Sequence, residues 1–251
     1  MTTWPSLWAA TSMLEAGDTV ARETAVSRAE LDDLAAMRSE QYQKSLADDR
    51  AFQRRYMVPA RIQERRTPPV IVEADEGVRP VILEEITGLR PAARDGLHTF
   101  ATQTHPADGC AGAIVTTAGQ AREMSRGEGA ASILSTGFSR AARTHMPEAP
   151  VPAARAALDD AGLAFAQLDA VTTHNPFAVN DIYFSRQTGY PLGRMNAYGC
   201  SLIFGHPQGP TGLRSIAELI EELRLRGGGT GLFTGCAAGD TGAAVVLRVH
   251  D

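Results

Sequence analysis

Three stretches of this sequence combine a histidine or cysteine with the small residues that let a substrate come close. Gly205-His206-Pro207-Gln208-Gly209-Pro210-Thr211-Gly212 joins a short apolar run to an amphipathic stretch. Its glycines let backbone approach a ligand, and an imidazole ahead of a helix N-terminus can serve as a base. A capping or packed histidine is the plainer reading of the same residues. Gly235-Cys236-Ala237-Ala238-Gly239-Asp240-Thr241-Gly242 turns between two apolar segments. Small neighbours leave the thiol room for substrate, and free N–H groups in such a turn can hold an oxyanion; a tight hairpin over a buried thiol is the simpler alternative. His174-Asn175-Pro176-Phe177 follows the apolar residues 168–173, which places His174 at the C-terminal edge of a strand, where open sheets gather their sites. There too a polar cap is the alternative. Cys200 and Cys110 read as packed thiols.

These loops need a scaffold, and the sequence outlines one. Ser27-Arg28-Ala29-Glu30 is a capping box, and Leu31, Leu34, Ala35, Arg38 and Tyr42 follow at helical spacing, so a helix is expected over 28–47. Residues 48–91 mix charges with prolines and short β-branched runs such as Val70-Ile71-Val72, which suits an irregular excursion with short strands. From Leu97 onward, apolar runs at 113–117, 131–136, 168–173, 201–204, 232–234 and 243–249 read as strands. They alternate with helical stretches near 151–162, 177–188 and 211–226, which predicts an α/β sandwich with strands buried on both faces. The last helix is the clearest: Leu213, Ile216, Ile220 and Leu223 make one stripe, and Gly227-Gly228-Gly229 ends it.

Composition narrows the classes of function. A chain of 251 residues with 43% hydrophobic content can bury one large core or two modest ones. A net charge of -5 offers no basic field to nucleic acid. No apolar run reaches the roughly 18 residues of a membrane span, and the opening lacks a basic n-region, so a cytoplasmic protein is expected. The three cysteines are too few and too irregular for a disulfide framework, and no metal site is expected.

Taken together and in order, the motifs resemble the thiolases. NAYGCSLIFGHPQGPTG is similar to that family's N-x-x-G-G-x-x-x-x-G-H-P-x-G-x-[ST]-G, and GCAAGDTGAAVVL to its closing C-x-G-G-G-x-G-x-[AG]-[VA] strand pair. DEGVRP, ADGCAGAIV and the opening GDTVARETAVSRAELDDLAAMRS resemble further segments in the expected order. The resemblance implies a layered αβαβα sandwich and acyl transfer on 3-oxoacyl-CoA, with coenzyme A as substrate or product and no tightly bound cofactor. It implies that His206 is the base for a nucleophilic cysteine and that Cys236 moves a proton on the substrate α-carbon or on CoA sulfur. His174 stands where the sterol-carrier branch uses a histidine to hold an oxyanion. The N–H of Ala238 would fall in the other oxyanion hole, and Arg79 near the CoA nucleotide.

The family pattern also divides the chain. Residues 1–97 resemble the thiolase loop domain, 98–127 the last strands of the N-terminal domain, and 128–251 the C-terminal domain. The expected reading is therefore the C-terminal three-fifths of a thiolase, without the first strands and nucleophilic cysteine of the family. A second chain supplying that half, in an oligomer, is the implied partner. GCSLIFGHPQGPTG with HNPF is similar to the thiolases of anaerobic aromatic degradation, benzoylsuccinyl-CoA thiolase among them, which work with a small zinc-containing OB-fold subunit. Two departures stand out: Ala237-Ala238 replaces the family's glycines, and Cys200 the second glycine of its pair. The competing class is a truncated, non-catalytic binding or structural subunit.

Overall fold

The computed structural model describes residues 12–63, 67–125, 127 and 129–250. Helix α1 (Met13–Glu23) starts at Ser12, whose hydroxyl accepts the Glu15 N–H. Helix α2 (Arg28–Ser45) opens on the expected capping box, with Glu30 taking the Ser27 N–H at 2.9 Å. A single turn, α3 (Ala47–Arg50), carries Asp48 and Asp49 at positive φ and breaks the helical run. Strands β1 (Ala60–Ile62) and β2 (Val70–Val72) pair as an exposed antiparallel ribbon, followed by the short α4 (Leu83–Ile86) and, further on, α5 (Ala118–Met124).

The second half supplies the sheet. Along the chain come β3 (Ala131–Arg140), α6 (Pro150–Ala161), β4 (Ala170–His174), α7 (Ala178–Thr188), α8 (Ser201–Phe204), α9 (Thr211–Leu225), β5 (Gly229–Ala237) and β6 (Thr241–Val249). The spatial order is β3-β6-β5-β4, with β4 and β5 parallel and the other neighbours antiparallel. Parallel strands need a crossover, and α7, α8 and α9 provide it. Helix α6 covers one face closely: a Cβ on Gly137 would lie 2.0 Å from the Ala153 carbonyl oxygen, so only glycine fits there. Helix α9 covers the other, with Leu219 and Leu223 seated over Gly231. Val246 joins the α6 cluster and its neighbour Leu247 the α9 cluster, as strand alternation requires. Leu219 and Leu223 are fully buried, and each such side chain stabilises the layer by roughly 2 kcal/mol. A separate core joins α1, α2, α7 and α8 through Val20, Leu31, Leu34, Phe177, Ile182 and Phe204.

The layered α/β class is as expected, and two local expectations are corrected. Residues 201–204 form a helical turn rather than a strand. A four-residue apolar run fits either state, and here its Ser201 reaches back to β4. Residues 113–117 are not a strand either. They have no ladder partner among the described residues, and Ile114 and Val115 stand 73% and 79% exposed. Within 98–125 the strand pairing expected for an N-terminal domain is reduced to single bridges, Gln103 with Phe177 and Pro106 with His206.

Candidate active site

Two parallel strands bring the first two candidate residues together. His174 ends β4 directly opposite Gly235 of β5, one residue before Cys236. A Cβ on Gly235 would meet the His174 Cβ at 2.8 Å, so the glycine leaves the space that the imidazole stem occupies. Beyond Cys236, Ala237 and Ala238 are exposed in the turn to β6, where Gly239 and Asp240 take positive φ. The turn is pinned from outside: Asp240 accepts the Ala141 N–H on its carbonyl at 2.8 Å and the His145 N–H on its carboxylate at 3.1 Å.

His206 arrives from the α8–α9 loop. Gly205, at φ 94, turns the chain so that the His206 N–H donates to the His105 carbonyl at 2.8 Å. The His206 Nδ1 lies 2.8 Å from the hydroxyl of Thr211, in the first turn of α9. Its ring stacks on His174, with centroids 4.3 Å apart and planes 28° apart. The imidazoles from the end of β4 and from the α8–α9 loop thus meet beside the strand that carries Cys236.

Burial sets the protonation of all three groups. The His174 imidazole is pushed down to about 3, first by burial and then by repulsion from His206. Burial alone lowers His206. Both rings are therefore neutral near pH 7. Burial pushes the Cys236 thiol up to about 12, opposed by an Asn180 amide that donates to its sulfur at 3.4 Å. Cys236 is held as a thiol.

A buried polar network fixes this arrangement. Ser201 Oγ sits 2.8 Å from His174 Nδ1 and 3.3 Å from Asn175 Oδ1. Asn175 Nδ2 donates to Asp181 at 2.6 Å and to the Cys200 sulfur at 3.1 Å. Asp181 collects further donors from Thr173 (2.6 Å), Asn196 (3.1 Å) and Arg38 Nε (2.9 Å). Asn175, Asn180, Asp181, Ser201 and Thr211 were not singled out from the sequence. An asparagine early in α7 does hint at its role, since Asn180 Oδ1 caps the Phe177 N–H at 3.2 Å.

Of the five residues marked in advance, His174 and His206 are in contact, and Cys236 lies on the neighbouring strand one residue past the Gly235 that pairs with His174. Ala238 lies two residues beyond Cys236, on the exposed turn. Arg79 is exposed on the segment after β2. Among the described residues, no group of three or more His, Cys, Asp or Glu is arranged to hold a metal, and no helix is long and apolar enough to cross a membrane. A cleft of about 380 Å³ lined by Lys44, Tyr198, Glu222 and Arg226 shares no residue with the cluster.

Known proteins show the same arrangement of sequence. The thiolase C-terminal domain matches residues 128–249 and the thiolase N-terminal domain residues 1–119, so the likeness is not confined to the C-terminal domain. A 3-ketoacyl-CoA thiolase of Erwinia tasmaniensis is 36% identical over 204 residues, covering 70% of this chain and 45% of the relative. The human mitochondrial 3-ketoacyl-CoA thiolase is 31% identical over 225 residues, covering 89% of this chain and 56% of its own. The crystal structure of the Bacillus anthracis acetyl-CoA acetyltransferase superposes with a TM-score of 0.89 at 26% identity, over 95% of this chain and 60% of that one. Human mitochondrial 3-ketoacyl-CoA thiolase in complex with CoA gives 0.86 at 26% identity, over 95% and 59%. This chain spans about half the length of the curated relatives it matches. Both domain matches and the shared fold make it a member of the thiolase family.

Proposed function

We propose that this chain carries the acid/base half of a thiolase site acting on a 3-oxoacyl-CoA, with its acyl-accepting cysteine supplied by a second chain. The observation that carries this reading is the stacked His174–His206 pair at the end of β4, with Cys236 one residue past the Gly235 that pairs with His174. His206 removes the proton of the incoming nucleophilic thiol. The thiolate attacks the 3-oxo carbonyl, and as the α–β carbon bond breaks the electron pair passes to the α-carbon. Cys236 protonates that carbanion, releasing the shortened CoA ester. In the second half, the Cys236 thiolate takes the proton of CoA, whose sulfur displaces the acyl group from the nucleophile, and His206 returns its proton. His174 and the Ala238 N–H hold oxyanions, and Arg79 meets the CoA nucleotide.

Cys200 is sealed under Asn175, as expected, whereas Cys110, expected to be packed, is exposed on the 107–117 segment; neither is assigned the acyl group. The division into 1–97, 98–127 and 128–251 is retained as part of the proposal, as is the sterol-carrier branch suggested by His174-Asn175-Pro176-Phe177. A partner that brings the rest of an N-terminal half, and a zinc-containing OB-fold subunit beside it, complete the assembly. A non-catalytic subunit is the second reading. It is favoured by Phe100, Ile114 and Val115, which stand 69%, 73% and 79% exposed as an interaction surface would.

The test is thiolysis of acetoacetyl-CoA and of branched 3-oxoacyl-CoA substrates by the purified chain, alone and with its genomic neighbours. The chain alone is expected to be inactive and the assembly active. Cys236→Ala is expected to slow the carbon–carbon step by at least ~100-fold, and His206→Asn both half-reactions. Full activity of Cys236→Ala in the assembly, or an acyl group found on Cys236 by mass spectrometry, would refute the assignment.

A further inference from the structure

The β1–β2 ribbon that precedes Arg79 has little apolar anchorage of its own: Ile62, Val70 and Ile71 are 51%, 56% and 53% exposed. Phe52 before it and Ile86 after it are buried, and Val78, Val81 and Leu83 pack at the rim of the core. Between these anchors the contacts are polar. The Asp75 carboxylate receives Arg214 Nη1 at 2.6 Å and Nη2 at 2.8 Å, Tyr42 Oη at 2.9 Å and Gln53 Nε2 at 3.3 Å. Val81 N–H adds a bond to Ser39 Oγ at 2.8 Å. Arg50 pairs only with Glu73, within the excursion itself.

Arg214 faces the other way as well. It sits one turn into α9, three residues after Thr211, whose hydroxyl meets the His206 ring. Its guanidinium lies over the Phe204 ring at 3.5 Å from the centroid, and Phe204 is two residues before His206. Its Nε donates to Glu218 at 3.1 Å, and Glu218 in turn accepts the Tyr56 hydroxyl at 2.6 Å. The pair is well shielded, with Arg214 and Asp75 side chains 16% and 11% exposed. The neighbouring Arg55–Glu221 contact is looser, with Arg55 39% exposed.

We infer that the Asp75–Arg214 pair is a positioning clamp: it fixes the segment bearing Arg79 to helix α9, and so sets affinity for the nucleotide end of CoA. The inference rests on the thiolase reading for its ligand, but not for its structural half. Bidentate geometry makes the clamp directional, since a planar guanidinium meets a carboxylate in one plane while stacking on an aromatic face. Asp75 and Arg214 hold the frame and touch no reacting atom. Their loss is expected in KM for CoA and not in kcat.

Asp75→Asn keeps the shape and removes the charge; Arg214→Lys keeps the charge and removes both the fork and the stack. In the active assembly, each is expected to raise KM for CoA about tenfold or more with kcat within about twofold, and Asp75→Glu to recover part of the loss. In the chain alone, hydrogen exchange across residues 70–82 is expected to speed up in both variants, with α9 unchanged. Unaltered KM in both variants, or a fall in kcat at constant KM, overturns the clamp. So does unaltered exchange at 70–82. Because exchange needs no CoA, an assembly that never turns over refutes the thiolase reading and leaves the exchange result to decide the clamp. If Asp75→Asn does not fold, Arg214→Lys carries the same tests.

Discussion

Replacing Asp181 by asparagine changes two atoms' chemistry and almost no volume, and its consequence can be worked from the network. Asp181 accepts four donors, Thr173 Oγ1 on one oxygen and Arg38 Nε, Asn175 Nδ2 and Asn196 Nδ2 on the other. An amide offers one oxygen and one donor nitrogen. Turned one way, its N–H faces the guanidinium and amide trio; turned the other, it meets the Thr173 hydroxyl, which accepts it on its second lone pair only by giving up its own donation to residue 181. The change also leaves the Arg38 charge without its counter-ion, with the two side chains 0% and 1% exposed. Removing one partner of such a pair costs about 3–5 kcal/mol, against total stabilities of about 5–15. With a urea m-value near 3 kcal/mol/M, the unfolding midpoint is expected to fall by roughly 1–1.7 M. Asn175 loses its anchor as well, loosening Ser201 and the His174 ring. The assay is urea unfolding followed by circular dichroism, together with Arg38→Met and the double variant. A coupling energy above ~1 kcal/mol marks the pair. A midpoint shift under about 0.3 M for Asp181→Asn would refute the reasoning.

Three further outcomes are expected. His174 titrates near 3 when folded and near 6.5 when unfolded, so between these values the unfolded chain binds a proton that the folded one refuses. Stability is then full above about pH 6.5 and falls toward pH 3 by about 1.4 kcal/mol per pH unit; His206 adds in the same direction, while His145, raised by its Arg143 carbonyl and Glu23 contacts, contributes stability that is lost as pH rises. Urea midpoints from pH 7.5 to 4.5 check this, and an unchanged slope in His174→Asn would count against it. A disulfide-exchange reagent is expected to label Cys110 rapidly in the native chain while Cys200 and Cys236, 1% and 6% exposed, react only in denaturant; fast labelling of a second thiol contradicts the burial. Gly235→Ala drives a Cβ to 2.8 Å from that of His174, and is expected to cost about 1–3 kcal/mol and to lower thiolysis in the assembly further than stability explains. Wild-type activity in that variant would mean that His174 has slack the structure does not show.

The sequence by itself determined the local features whose causes are local. The Ser27–Glu30 capping box and the glycine stop after α9 are decided within a few residues and are present, whereas the α9 stripe is met only in part: Leu223 is buried and Ile216 and Ile220 half-buried, but Leu219, Glu218, Glu221 and Glu222 are buried as well. The motifs around His206 and Cys236 were legible for the same reason, since glycine and small-residue spacing is a property of the chain. Strand or helix for residues 201–204 was not, because four apolar residues satisfy both periods and Ser201's reach to His174 is what settles it. Residues 113–117 read as a strand, but a strand exists only with a ladder partner, and the described residues offer none. Arg38 is the plainest case. Helical spacing put it on the buried face of α2, yet its counter-ion Asp181 lies 143 positions away. A buried charge requires a partner in space, not in sequence, so only the packing of α2 against α7 could supply one, and with it the network that holds the two histidines.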